Sequence, residues 1–195
     1  MPTASPTPAS RLPRPERREQ ILAAATRAFA RGGYAAIGLD DVAAEAGISR
    51  VILYRHFDSK KDLYHSVLDR AGDRISAHID TTDYGPATLP ALLAAATADP
   101  DGFKLLFRYA AREPEFRDRA DRFNAQAISI AHHQLTRYIE DPAWVRWAAQ
   151  LAPMFTGEAI VAWLDAGMPD PDTAQARIAA VLDALIEAAR GATPR

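Results

Sequence analysis

Residues 41–57, DVAAEAGISRVILYRHF, decide the fold of this chain. Val42, Ala43 and Ala46 recur at helical spacing, Gly47 tolerates a positive φ at the corner that follows, and Ile48 plugs that corner. Ser49 can restart a helix, its hydroxyl accepting from the open amides of the next turn. Leu53 and Phe57, four apart, anchor that second helix to a core and leave Arg50, Tyr54, Arg55 and His56 outward. Two short helices around a tight Gly turn, the second with exposed cations, form the arrangement that lays a helix in the major groove of double-stranded DNA.

Outward from this motif the chain keeps its helical period. From Pro15 to Arg31 the apolar positions Ile21, Leu22, Ala25, Ala28 and Phe29 share a face, and Gly32-Gly33 ends the run. Gly38 caps the next helix, with Asp40 and Asp41 in its first turn, and Asp58-Ser59 caps a fourth helix. Leu63, Val67, Leu68, Ala71, Ile75 and Ile79 keep one face of that helix apolar beyond the small module. The pattern predicts a tail over 1–13, a DNA-binding module over 14–70 with its motif at about 38–57, and a larger C-terminal region over 71–195. The junction between the two bodies is expected in TTDYGPATLP, near Tyr84. Beyond it Pro90, Asp99-Pro100, Pro114, Asp141-Pro142, residues 167–171 and Gly191 punctuate helical runs with no strand alternation, so the expected class is all-α with about nine helices.

Of the 195 residues 48% are hydrophobic and 25% charged, the balance of a globular chain. Without cysteine there is no disulfide framework, thiol nucleophile or cysteine zinc site. MPTASPTPASRLP holds four prolines and no apolar run, a disordered tail rather than a signal peptide. The most apolar stretch, Leu151 to Leu164, is interrupted by Pro153, Thr156 and Glu158 and falls short of the roughly 20 residues that cross a bilayer. A cytoplasmic location away from membranes is the expectation. Between Arg11 and Arg70 eleven basic side chains face eight acidic ones, and from Ala71 onward twelve face seventeen. So modest a basic bias adds to binding at a chosen site and leaves specificity to individual contacts.

Two late helices, Pro142 to Ala166 and Thr173 to Arg190, carry more apolar surface than one neighbour covers. Ile160, Leu164, Ile178, Val181, Leu182, Leu185 and Ile186 would pair with their copies in a homodimeric four-helix bundle, unless they fill an ordinary intramolecular core. Phe103, Phe107, Phe123, Trp147, Met154 and Phe155 could line an apolar cavity or fill it, with Asn124, Gln126, His132, His133 and Glu158 as candidate polar groups. His132 and His133 point about 100° apart on a helix and cannot share one metal. No catalytic elbow, phosphate loop, metalloprotease pair or dinucleotide fingerprint occurs, so no catalytic residue, metal or cofactor is expected. A helical enzyme or ligand carrier is the rival reading, which a gel shift on the chain's own upstream DNA would separate.

ILAAATRAFARGGY followed by LDDVAAEAGISRVILYRHFDSKKDL resembles the TetR family of bacterial transcriptional regulators over about Arg17 to Leu68, with Leu53-Tyr54, Phe57 and Lys60 at the family's spacing. The resemblance implies a three-helix reading domain and a linking fourth helix. It also implies a dimer through the last two helices, a near-palindromic operator and a small-molecule effector, most often with repression as the output. On the recognition helix Arg50 and Arg55 are placed to reach a guanine edge or a phosphate, while by family analogy Tyr54 and His56 face phosphates unless Tyr54 simply packs. Lys60 would add its charge at the start of helix four, with Lys61 beside it. Arg17, with Arg11, Arg14 and Arg18, could follow the DNA backbone or enter the minor groove. Gly38 stands where the family usually has Thr or Ser, leaving a backbone amide without the hydroxyl. Val51 and Ile52 stand where it has small residues, which predicts contacts to thymine methyl groups unless one of them packs inward.

Overall fold

The computed structural model describes residues 12–79, 87–110, 113 and 115–191, without the side chains of 119, 120 and 123. The expected tail therefore lies outside the described residues except for Leu12 and Pro13, as do Tyr84 and the side chain of Phe123. Among the described residues there are nine α-helices and no strand. They are α1 (Arg14–Ala36), α2 (Leu39–Glu45), α3 (Arg50–Tyr54), α4 (Lys60–Ser76), α5 (Thr88–Ala98), α6 (Pro100–Lys104), α7 (Arg117–Leu135), α8 (Pro142–Asp165) and α9 (Pro171–Ala189). A π-helical turn, Leu105–Tyr109, continues α6.

Local chemistry sets the boundaries. Gly33, at φ 75° and ψ 166°, breaks the regular helix inside α1, as the Gly32-Gly33 pair suggests. Ser59 Oγ accepts from the Asp62 amide, Asp99 from Gly102 and Asp141 from Ala143, each caring for an orphan donor at a helix start. Ser49 departs from expectation: it occupies the N-cap of α3 without a side-chain hydrogen bond, and its carbonyl takes the amides of Ile52 and Leu53. Packing of Leu53 and Phe57 rather than a hydroxyl cap therefore holds this five-residue helix.

Helices α1–α4 form a head around Ile21, Leu22, Phe29, Val42, Leu53, Phe57, Leu63, Tyr64 and Leu68. That core is completed from the body: Leu105, Ala110 and Phe116 belong to the same cluster and are 0–1% exposed. Phe116 meets Tyr64 at 4.4 Å and Tyr34 at 4.7 Å between ring centroids. A second core gathers Ile75 and Ile79 at the end of α4 with Phe103, Leu106, Ile160, Val161, Leu164 and Ile178. A third joins α7, α8 and α9 through Leu135, Ile139, Val145, Ala148, Ala149 and Ala189. Helix α4 thus belongs to head and body at once. An ion-pair knot reinforces the union: Arg70, 11% exposed on its side chain, bonds Glu19 of α1 at 2.6 Å and Asp99 at 3.2 Å, and Arg74 reaches the same two carboxylates at 2.9 and 3.0 Å.

Candidate nucleic-acid interface

Leu53 and Phe57 are 0% and 1% exposed, so α3 cannot roll and its remaining side chains have fixed directions. Gly47 at φ 65° makes the corner, and half-buried Ile48 packs against the head core beside it. Helix α2 is held to α1 by Glu45, which takes Arg27 and Arg31, both at 2.9 Å. That bracket was not readable from sequence, because two arginines one turn apart say nothing about which distant acid they share.

The outward face of α3 presents Arg50, Val51, Tyr54 and Arg55, all exposed, with Val51 at 63%; Ile52 is half-buried. Arg50 bridges the two helices of the motif, reaching Asp40 Oδ2 at 3.1 Å and the Tyr54 hydroxyl at 3.2 Å, with its guanidinium 5.5 Å over the Tyr54 ring. The Tyr54 hydrogen bond and then the Asp40 charge raise its pKa further, so it stays cationic at every working pH. Tyr54 is thus the platform that orients Arg50 as well as an exposed phenol. Arg55 is exposed, and among the described residues none pairs with its guanidinium.

The flanks differ from expectation in detail. Gly38 caps α2, but its amide donates to Asp41 Oδ2 at 2.7 Å, so the backbone donor expected to remain open there is already engaged. Lys60 lies over the Tyr34 ring at 4.5 Å and donates to Ala35 O at 3.3 Å, placing its charge above the α1–α2 connection. Lys61 pairs with Glu115 at 2.8 Å, tying the head to the approach to α7. His56 is half-buried with Nδ1 out of solvent and without a hydrogen-bond partner; burial first, then the charges of Arg14, Arg18 and Arg17, lower its pKa below 6.5. It is the neutral floor of a basic patch. Arg17 bonds Gln20 Oε1 at 2.7 Å, and Gln20 Nε2 bonds Ala46 O at 2.9 Å, so Arg17 is braced against the end of α2. Arg18, 4.9 Å over the Phe57 ring and bonded to Ser66 Oγ at 3.0 Å, completes that patch. Sequence reasoning missed Gln20, Asp40 and Asp41 as positioning residues, since only the three-dimensional turn brings them to the cations.

In the body a cavity of about 730 Å³ lies between α5, α7, α8 and α9. Of the aromatics considered for it whose side chains are described, only Phe107 lines it. Phe103 is 1% exposed in the core, Phe155 packs at that core's edge, and Trp147 and Met154 turn outward at 41% and 59% exposure. Of the side chains expected between protomers, Ile160, Leu164 and Ile178 are buried within the chain. Leu182 and Ile186 line the cavity, Leu185 is half-buried against the third core, and Val181 is exposed. Among the polar candidates Glu158 is exposed and pairs with Arg108 at 2.5 Å, while Asn124, Gln126, His132 and His133 are exposed on α7. The described residues hold no group of three metal-binding side chains and no helix long and apolar enough to cross a membrane.

Residues 21–67 match the family described as bacterial regulatory proteins, tetR family. The HTH-type transcriptional activator FasR of Mycolicibacterium smegmatis is 40% identical over 106 residues, which cover 50% of this chain and 48% of FasR. The chain spans about half, or less, of the length of the curated relatives it matches. In fold it is similar to a TetR-like transcriptional regulator from Rhodococcus sp. RHA1, with TM-score 0.73, 22% identity and coverage of 92% of this chain and 96% of that one. FadR from Bacillus subtilis, solved in complex with stearoyl-CoA, gives TM-score 0.65 at 20% identity over 86% of this chain and 97% of that one.

Proposed function

We propose, from the match of residues 21–67 to the TetR family of bacterial regulatory proteins, that the chain is a member of that family and a sequence-specific DNA-binding transcriptional regulator, one that reads a near-palindromic operator as a homodimer and answers to a small molecule. The observation that carries this reading is the outward face of α3, where Arg50, Val51, Tyr54 and Arg55 stand exposed over the buried anchors Leu53 and Phe57. Arg55 takes a guanine edge, Val51 and Ile52 meet thymine methyls, and Arg50, Tyr54, Lys60 and Arg17 hold the backbone. His56 supports this patch from below. Where the operator overlaps a promoter the output is repression by occlusion. The protein acts in the cytoplasm, with the DNA.

A second copy docks on the open side of α8. Trp144, Trp147, Leu151 and Met154 follow one another at spacings of three and four, and Trp144 and Trp147 meet edge to face at 5.3 Å. Val181 of α9, 49% exposed, adds to the apolar surface that a partner would cover. The effector occupies the cavity, whose walls include Ile79, Leu89, Leu92, Phe107, Leu135 and Leu182, with exposed Gln175, Asp183, Glu187 and Arg190 at its rim. Such a chamber suits a long apolar chain with a polar head, the chemistry of the thioester bound by the Bacillus subtilis FadR. To release DNA the effector must bind the DNA-incompetent arrangement better, since equal affinity for both shifts nothing.

The test is selection of genomic fragments by the purified protein at stated salt. Enrichment of one near-palindromic sequence is the expected result, and binding that does not distinguish genomic from scrambled fragments overturns the proposal.

A further inference from the structure

The π-helical turn touches both halves of the molecule. Ala110 N–H bonds to Leu105 O, the i to i+5 pattern, and both residues are 0% exposed in the head core. An α-helix advances 100° per residue, so regular winding would put Ala110 about 140° away from Leu105 and outside that core. The wide turn is what lets both face the head. Between them Leu106 and Phe107 point the other way, into the body, where Phe107 stacks on Phe103 at 4.3 Å and lines the cavity. Arg108, paired with Glu158 and Asp165, fastens the same segment to α8. Across from Phe107 stands Gly157, also in the cavity wall, where a methyl group would fall 2.5 Å from Phe107 Cδ1. The ring is therefore seated with no room to spare on that side.

We propose that this π-turn is the switch between cavity and reading head: an occupant that displaces Phe107 rewinds Leu105–Tyr109 toward α-helix, withdraws Ala110 and Phe116 from the head core, and so changes the seat of α1 and α4. This rests on the reading of the cavity as the effector site. A single residue of register separates the two windings, so the element has two discrete arrangements rather than a continuum. Phe116, six residues beyond Ala110, contacts Tyr34, Tyr64 and His65 of the head and carries the change into it.

Gly157→Ala mimics an occupant without any ligand, and binding is measured on the DNA that the wild-type protein selects. The variant should remain helical and dimeric yet bind that DNA at least tenfold more weakly, and adding Phe107→Ala, which empties the contested space, should restore affinity to within threefold. Wild-type affinity in folded Gly157→Ala overturns the switch, and so does a defect that persists in the double variant. If Gly157→Ala does not fold, Phe107→Trp crowds the same contact from the other side and is judged identically. Backbone carbon shifts of Leu105–Ala110 give a second readout independent of DNA: they should move toward regular helix in Gly157→Ala and not in the double variant. If the wild type selects no DNA while those shifts move as expected, the regulator reading fails and the switch survives.

Discussion

Val51 shows how one residue separates reading from folding: it is 63% exposed, two residues before the buried anchor Leu53, so trimming it removes nothing from the core. Val51→Ala should leave thermal stability unchanged and weaken discrimination at a thymine position, as selection with the variant would reveal. Arg55→Ala should lower affinity for the selected DNA by about 1–3 kcal/mol at matched salt with unchanged helical content, because the guanidinium is exposed. His56 yields a pH prediction with a definite sign. Its folded-state pKa lies below 6.5, so the unfolded chain binds the proton more readily, and stability falls as pH drops below 6.5 until the folded-state pKa is passed. The melting temperature should therefore decline between pH 7.5 and 5.5, less so in His56→Gln. Glu19 acts in a separate, lower window. Burial raises its pKa, but the Arg70 hydrogen bond and charge, with Arg74 and Arg18, carry it below 4.5, so its contribution is lost only in acid beneath that value.

Among the elements, α4 bears the union of head and body, and the Arg70–Arg74 knot with Glu19 and Asp99 is its polar half. Arg70→Ala leaves Asp99, 16% exposed on its side chain, with Arg74 and the Gly102 amide. It should cost about 1–2 kcal/mol, seen as a melting temperature lower by roughly 2–8 °C. The reading elements were legible in the sequence because their signals are local: Gly47 can supply positive φ, Ser59 can cap, and Leu53 and Phe57 lie one helical turn apart. The faces of α8 and α9 were not. With Ala, Leu, Val and Ile around most of each helix, periodicity does not say which neighbour lies where. Ile160 and Leu164 therefore turned inward, while Trp147 and Met154 turned out. The π-turn left no trace at all, since LLFRY is ordinary helical sequence and its extra residue per turn answers to two cores at once. Nor could sequence show that Asp41 takes the Gly38 amide or that Asp40 holds Arg50, since both depend on the path of the chain.

For the molecule as a whole, the exposed stripe of α8 sets the assembly prediction. Trp147→Glu with Met154→Glu should yield a folded monomer by sedimentation, with weaker operator binding, because both side chains already meet water and nothing internal is lost. Leu182→Glu instead puts a charge in the cavity wall and should affect ligand uptake more than assembly. The head core has its own consequence, because Leu105, Ala110 and Phe116 close it from the body. A protease cutting beyond Ser76 would release a fragment with a greasy hole where those three side chains belong. Such a fragment should aggregate or be degraded instead of persisting as a half-sized competitor on the promoter. Grafting this head onto another body would succeed only if the recipient supplies matching plugs, which restrains free exchange of the two halves by recombination.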